Sequence, residues 1–508
     1  MSKPRSSDNP HASSGLKRLQ ELRDAASRSA PSTARASRDQ DRWTAREAIA
    51  ALSDIGTFIE YGGLVRPVNK QMEGPADGLI TGVARLDGKP LVLAAYDYNV
   101  YGGSQSAMNH RKLARIVAHA AKHRLPLVGW LEGAGARPHD MVVDARGPTS
   151  SLVEFARLSG WVPTIGIVPG RAFAGHANLA GMCDVLIVTR DATMGLAGPP
   201  LVEAALGVKL TPEEIGPAKL HVDAGVVDFA VADAAEAVAT ARKYLSYFSE
   251  RHVPGEAPDP ESLRDIVPNN PRHSYDVRKV IDGIADVGSV LELKAEWGRS
   301  LVTSLTRIGG FTVGVVANQP LVMAGAIDAA AAAKAVRFVQ LCDAFDIPLL
   351  MLCDTPGLHV GPDVEKTGLV RQSARWLIAL ANSTTMIMTV VLRKGYGLGH
   401  YIMGSMPFTP SLLVAWPNAE FGGMGLEGAV NIIHRRRLEA IEDAGERASA
   451  HAQLTAELRE ANTAFAVAER FLVDDVIDPA DTRIVLTETL ASWKPHPSTK
   501  RKRIIDSF

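Results

Sequence analysis

The chain has 508 residues, 46% apolar and 22% charged, and its 55 basic and 56 acidic residues leave a formal net charge of −1. That balance offers no electrostatic footprint for nucleic acid or an anionic membrane, and no apolar run reaches membrane-spanning length. Three scattered cysteines (Cys183, Cys342, Cys353) without a CxxC pair exclude a disulfide framework or cysteine-bound metal, and with no apolar secretory core at the N-terminus the expected compartment is the cytoplasm.

Residues 1–43 are rich in Ser, Ala, Arg and Pro and read as a flexible arm, with Leu16–Leu22 able to form a short amphipathic helix. A first lobe is expected over 44–247. It opens on a helix (R-E-A-I-A-A-L), followed by apolar strands from Gly78 to Tyr98 around an Asp87-Gly88 hairpin turn. Asn109–His123 predicts a helix with Leu113, Ile116, Val117 and Ala120 on one face. A strand then runs to Glu132 and a small-residue loop, G-A-G-A-R (133–137). Residues 149–160 read as a helix and 163–168 as a strand; the Arg171–Gly175 turn opens a further helix before the strand Asp184–Thr189. The prolines and charges of 248–275 mark a linker. A second lobe over 276–508 repeats the order, with an alanine run (327–335) suited to close packing, a charged helix over 438–470 and a basic tail.

The repetition is explicit. Arg393 and Gly397 lie 222 positions after Arg171 and Gly175, and the same shift lays Gly325 on Gly103, Lys334 on Lys112, Asp354 on Glu132 and Gly357 on Gly135. D-I-G-T-F-I-E (54–60) matches D-V-G-S-V-L-E (286–292) at a shift of 232, and A-T-M-G-L-A-G (192–198) matches A-E-F-G-G-M-G (419–425) at 227. A shift that changes in steps is what loop insertions produce in a duplicated α/β lobe.

Each lobe ends one strand in a glycine turn, V-P-G-R-A-F-A-G-H and T-V-V-L-R-K-G-Y-G-L-G (389–399). Such turns let backbone N–H groups approach a ligand and stabilise an oxyanion without a charged side chain. No G-x-S-x-G, phosphate loop or cysteine cluster is present, and His176 and His400, each beside a turn glycine, read as turn or core histidines. What remains is a pair of backbone-donor sites suited to an enolate, with the proton carried by substrate or cofactor.

Several segments taken in order resemble the carboxyltransferase (β) subunit of biotin-dependent acyl-CoA carboxylases: G-P-A-D-G-L-I-T-G (74–82), Y-D-Y-N-V-Y-G-G-S (96–104), C-D-T-P-G-L-H-V-G-P-D-V-E-K-T-G-L-V-R (353–371) and F-G-G-M-G-L-E-G-A-V-N-I-I (421–433). The resemblance spans roughly residues 45–500. It implies two tandem crotonase-like ββα superhelix domains, and transfer of a carboxyl group from carboxybiotin to the α-carbon of an acyl-CoA. It further implies a homohexamer (a dimer of trimers), or a heteromer with a paralogous subunit, with each active site between the first lobe of one subunit and the second lobe of its partner. On this resemblance Ala174-Gly175 and Leu398-Gly399 form two oxyanion holes, the first for the thioester and the second for the biotin ureido oxygen. Gly133, Ala134, Gly135, Ala136, Gly198, Gly357, Gly397, Tyr401 and Gly425 are the expected substrate-binding positions. Many relatives carry Gly-Gly at Ala174-Gly175 and Gly-Ala at Leu398-Gly399, and residues that tune acyl fit at His400-Tyr401. With no M-K-M attachment tripeptide and no ATP module in the chain, a separate biotin carboxylase/biotin carrier subunit is implied. The same fold also serves decarboxylases, transcarboxylases and noncatalytic assembly subunits.

Overall fold

The computed structural model describes residues 10–27, 42–69, 71–72, 74–137, 149–248, 252–270, 273–493 and 504–506. Much of the expected arm and nearly all of the basic tail lie outside the described residues; within the arm, Pro10–Ser27 is helical. The chain falls into two units, Met1–Val222 with Phe229–Arg242, and Asp223–Asp228 with Lys243–Phe508. The second unit therefore starts before the expected 248–275 linker. It claims Asp223–Asp228 because the buried Lys294 Nζ meets Asp228 at 3.3 Å and donates to the carbonyl of Gly225. The described part of the linker holds a short helix, Leu263–Ile266, whose Leu263 is fully buried.

Strands of the first unit are β1 (Ile59–Tyr61), β2 (Leu79–Leu86), β3 (Lys89–Tyr96), β4 (Leu127–Trp130), β5 (Thr164–Val168), β6 (Arg171–Phe173), β7 (Val185–Thr189), β8 (Thr193–Gly195) and β9 (Phe229–Val231). Among the described residues they form a sheet of order β1-β2-β3-β4-β5-β7-β9, with β6 and β8 as a separate pair. The first three strands are antiparallel and the rest parallel. The β2–β3 hairpin closes at Asp87-Gly88 with both φ positive, 51° and 76°, as a tight twisted turn requires. Between β3 and β4 runs the helix Ala107–His123, capped by the Ser106–Asn109 box, with the four expected core residues buried.

The second unit repeats this with β10 (Leu291–Leu293), β11 (Leu301–Ile308), β12 (Phe311–Asn318), β13 (Leu349–Thr355), β14 (Ile387–Tyr396), β15 (Leu412–Ala415), β16 (Glu420–Gly422) and β17 (Asp475–Val476). Register carries the duplication strand by strand. Leu79 faces Tyr96 as Leu301 faces Asn318, and Val92 faces Leu127 as Gly314 faces Leu349, at the shift of 222. The helix Ala329–Ala344, N-capped by Asp328, stands where Ala107–His123 does. It buries its alanines against the sheet, as close packing demands. Between β16 and β17 the second unit has an insertion relative to β8 and β9. The single helix expected over 438–470 is instead three, Arg435–Glu439, Ala444–Glu460 and Ala464–Glu469, because Asp443 and Thr463 each cap a new start. Val430, Leu438 and Leu454 make a small core beneath them.

None of the three cysteines forms a disulfide and all are buried; burial pushes the Cys342 and Cys353 thiols well up. Among the described residues no helix is long and apolar enough to cross a membrane.

Candidate active site

In the first unit β4 ends at Trp130, and the chain passes through Glu132 into the small-residue loop. Gly133 and Gly135 are buried while Ala134 and Ala136 are exposed. The loop is fastened at both ends. Gly133 donates to the Arg171 carbonyl at 2.6 Å and accepts from Phe173 at 3.0 Å; Gln105 donates to the Gly135 carbonyl and accepts from Arg137, both at 2.7 Å. Arg137, fully buried, pairs with Asp77 at 2.6 Å and donates to the Ser104 carbonyl at 3.1 Å. Gly135, at φ 95°, passes so close to the neighbouring turn that a Cβ there would stand 2.9 Å from the Ala174 Cβ. Loop and turn therefore meet.

At the turn, Ala174 has φ 53° and ψ −119°, and the helix Gly175–Gly181 begins immediately after it. The Ala174 amide donates to the Gly195 carbonyl at 2.9 Å, extending the β6–β8 pair, so it is no donor for a ligand. The next two amides, of Gly175 and His176, lie in the first helical turn, where no intrahelical acceptor exists. Neither has a backbone acceptor among the described residues. A Cβ at position 175 would lie 2.0 Å from Gln105 Oε1, so a side chain there would have to displace the Gln105 amide. Gly198 caps the helix Pro199–Leu206, its Cβ position 3.9 Å from the Phe173 side chain, near the same turn.

The second unit reproduces the arrangement. Ile327 donates to Gly357 at 3.1 Å and accepts from His359 at 2.9 Å, matching the Gln105 bonds at a shift of 222. Gly357, at φ 120°, touches the turn, because a Cβ on Gly399 would stand 2.7 Å from the Gly357 Cα. Gly397 takes the left-handed kink (φ 55°) and opens the helix Gly397–Ile402. The amides of Leu398 and Gly399 have no backbone acceptor among the described residues. Tyr401 lies on the same helix with its side chain 48% exposed, and Gly425 caps Leu426–Ile433 with open space around it; neither is brought against the turn.

Backbone pairing corrects the alignment of the two turns by one residue. Arg171 and Phe173 face Thr193 and Gly195, whereas Lys394 and Tyr396 face Glu420 and Gly422. The counterpart of Arg171 is thus Lys394 rather than Arg393, that of Ala174 is Gly397, and that of the Gly175–His176 amides is Leu398–Gly399. From β5 to the turn the shift is 223, since Thr164 and Ile387 occupy the same place opposite Leu127 and Leu349.

The titratable side chains next to the two pairs of amides are histidines. His176 is fully buried, its ring against Tyr96 at 4.4 Å, and burial lowers it to about 4 against the pull of the Phe173 and Gly103 carbonyls. His400 is likewise lowered to about 4 by burial, with Nδ1 3.8 Å from Cys353 Sγ. Both imidazoles are neutral, His176 in the core and His400 partly buried. Asp354, fully buried, is held by Arg393 at 3.1 Å and Lys394 at 3.5 Å. Its counterpart Glu132 is pushed up to about 7 by burial, which Arg42 opposes. Among the described residues no cluster could hold a metal. Gln105 and Arg137, which fasten the loop, escaped the sequence reading. The signal for Gln105 was its place at Ile327 minus 222, two residues past the matched Gly103 and Gly325.

Two mixed-sheet lobes, each setting a glycine-lined pair of orphan amides at the end of a parallel strand, define the crotonase-like class of oxyanion-stabilising proteins. The chain belongs to the carboxyl transferase domain family, whose model matches residues 36–504, and is a carboxyltransferase. It is 35% identical over 482 residues to the propionyl-CoA carboxylase carboxyltransferase subunit of Haloferax mediterranei, covering 91% of this chain and 92% of that one. A single-chain, multi-domain long-chain acyl-CoA carboxylase superposes with a TM-score of 0.87 at 41% identity, over 94% of this chain and 48% of that chain. This chain thus spans about half of that larger protein. Transcarboxylase 12S, a hexamer solved with methylmalonyl-CoA and methylmalonic acid bound, also gives 0.87, at 33% identity over 96% and 98%.

Proposed function

We propose that this carboxyltransferase moves a carboxyl group between a biotin carried by a separate biotin carboxylase/carrier partner and the α-carbon of an acyl-CoA, in the cytoplasm and as a hexamer. The observation that carries the reading is the repeated turn: two orphan amides per unit, beside glycines that leave no side chain in the way. In the first unit the Gly175 and His176 amides hold the thioester oxygen as the enolate forms, and the exposed Ala134 and Ala136 face the acyl-CoA. In the second, the Leu398 and Gly399 amides hold the ureido oxygen of biotin. A Cβ at Gly399 would stand 2.7 Å from the Gly357 Cα, so the missing side chain lets the loop close on the turn beside these amides. Carboxybiotin supplies the carboxyl group and, once freed of it, a nitrogen that takes the α-proton; that accounts for a site without its own base. Tyr401, exposed on the second-unit helix, sets the acyl fit.

The test is carboxyl transfer by the full chain from malonyl-CoA or methylmalonyl-CoA to biocytin. Wild type is expected to form acetyl-CoA or propionyl-CoA only when biocytin is present; no transfer from either donor would refute the reading. Leu398→Pro removes one amide at a first-turn position that tolerates proline, and should lower kcat about 10²–10³-fold. Wild-type turnover in that variant would take the second turn out of the chemistry.

A further inference from the structure

The carboxylate beyond the central strand is neutralised differently in the two units. Asp354 receives both of its cations, Arg393 and Lys394, from the adjoining strand β14. Strand register makes Gly170 and Arg171 their counterparts, yet Gly170 has no side chain and Arg171 turns to Glu213 at 3.5 Å. The missing cation comes from elsewhere in the chain. A Cβ on Gly170 would stand 2.3 Å from Glu132 Oε1 and 2.8 Å from Arg42 Nη1. The guanidinium of Arg42 therefore fills the space beside the carboxylate, 3.5 Å from Oε1, with its other nitrogen 3.4 Å from Asp191.

We propose that Arg42 and Glu132 are positioning residues for the loop Gly133–Ala136, the N-terminal segment providing the first unit with the guanidinium that the second carries on its own strand. The inference rests on reading that loop as the acyl-CoA contact. Glu132 directly precedes Gly133, whose N–H and C=O are both tied to the β6 segment. A buried carboxylate deprived of its cation must take up a proton or move toward water, and either change is transmitted to Gly133. The groups facing Glu132 are Arg42, Asp97 and Arg171; burial and Asp97 favour its neutral form, Arg42 and Arg171 its charged form.

Arg42→Ala, Arg42→Lys and Glu132→Gln would be assayed with malonyl-CoA and biocytin between pH 5.5 and 9, and thermally unfolded from about pH 4 to about pH 9. Arg42→Ala should raise KM for malonyl-CoA about tenfold, the scale of a lost charge-assisted contact, with a smaller change in kcat. The acid limb of kcat/KM, which falls in wild type as Glu132 is protonated near pH 7, should move to higher pH. Arg42→Lys should restore part of both effects, and Glu132→Gln should abolish the limb. An unchanged KM and limb in Arg42→Ala would overturn the proposal. The unfolding curves separate this outcome from failure of the functional reading. Because the folded pKa of Glu132 lies above its ordinary value, wild type should lose Tm relative to Glu132→Gln as pH rises from about 4.5 to about 7. In Arg42→Ala the loss should continue above that window. Coincident wild-type and Arg42→Ala profiles would sink the pairing whether or not the wild type transfers carboxyl groups.

Discussion

Ala174 holds φ 53° and ψ −119°, a conformation glycine enters freely and alanine only under strain of about 1–3 kcal/mol. Ala174→Gly should therefore stabilise the chain by about 1 kcal/mol after the extra freedom glycine gains in the unfolded state, read from urea unfolding midpoints. A destabilised variant would show that the contact with Gly135 outweighs the strain. This residue also marks a limit of sequence reading. The two glycine turns were legible in the sequence pattern, whereas the resemblance to the carboxyltransferase family singled out Gly175, Leu398 and Gly399 within them. That the Ala174 amide is already engaged by Gly195 depends on pairing between β6 and β8, which no local pattern encodes. The one-residue slip between Arg171 and Arg393 has a similar origin. Identical side chains suggested the match, but backbone hydrogen bonds set the register, and a strand can gain a residue without announcing it in sequence.

Lys112 and Lys334 show the same limit for whole elements. Their equivalence at a shift of 222 was visible, while their work was not, because the carbonyls they bind lie far back in the chain. Lys334 Nζ donates to Lys294, Trp297 and Leu301 at 2.9, 3.0 and 2.8 Å, and Lys112 to Ala76 at 3.0 Å and to Leu79. Each lysine pins its helix over the loop that enters the β-hairpin. Lys334→Met should cost about 2–4 kcal/mol through the orphaned carbonyls, measured by urea unfolding. Burial lowers Lys334 from 10.5 to about 7, so between those pH values the native state binds fewer protons than the unfolded chain. Wild-type stability should rise with pH across that window, and the rise should be absent in Lys334→Met. A parallel pH response in the two proteins would mean that Lys334 stays charged in the fold. The strands and the central helix of each lobe were legible because hydrophobic period and caps are local. The insertion differs from one helix because, although its alanines and charges run on through 440–442 and 461–462, Asp443 and Thr463 each restart the helix.

Across the whole molecule, the helix Pro199–Leu206 buries none of its residues, leaving Leu201 61% and Leu206 69% exposed. Its counterpart Leu426–Ile433 leaves Ile432 and Ile433 each 65% exposed. Apolar helices at one place in both units call for cover by another subunit. Leu201→Asp combined with Leu206→Asp should convert the proposed hexamer to smaller species in sedimentation velocity while leaving the far-UV spectrum unchanged, since neither side chain is buried. A persisting hexamer would assign the assembly to other faces.

The placement of the three sulfur atoms has a practical corollary. A thiolate-seeking reagent added to the native chain finds nothing to modify, since Cys183 is enclosed in the first unit and Cys342 and Cys353 in the second. Labelling can proceed only as fast as an interior opens to water. The chain thus contains a separate clock for the opening of each half, with no probe needing to be engineered.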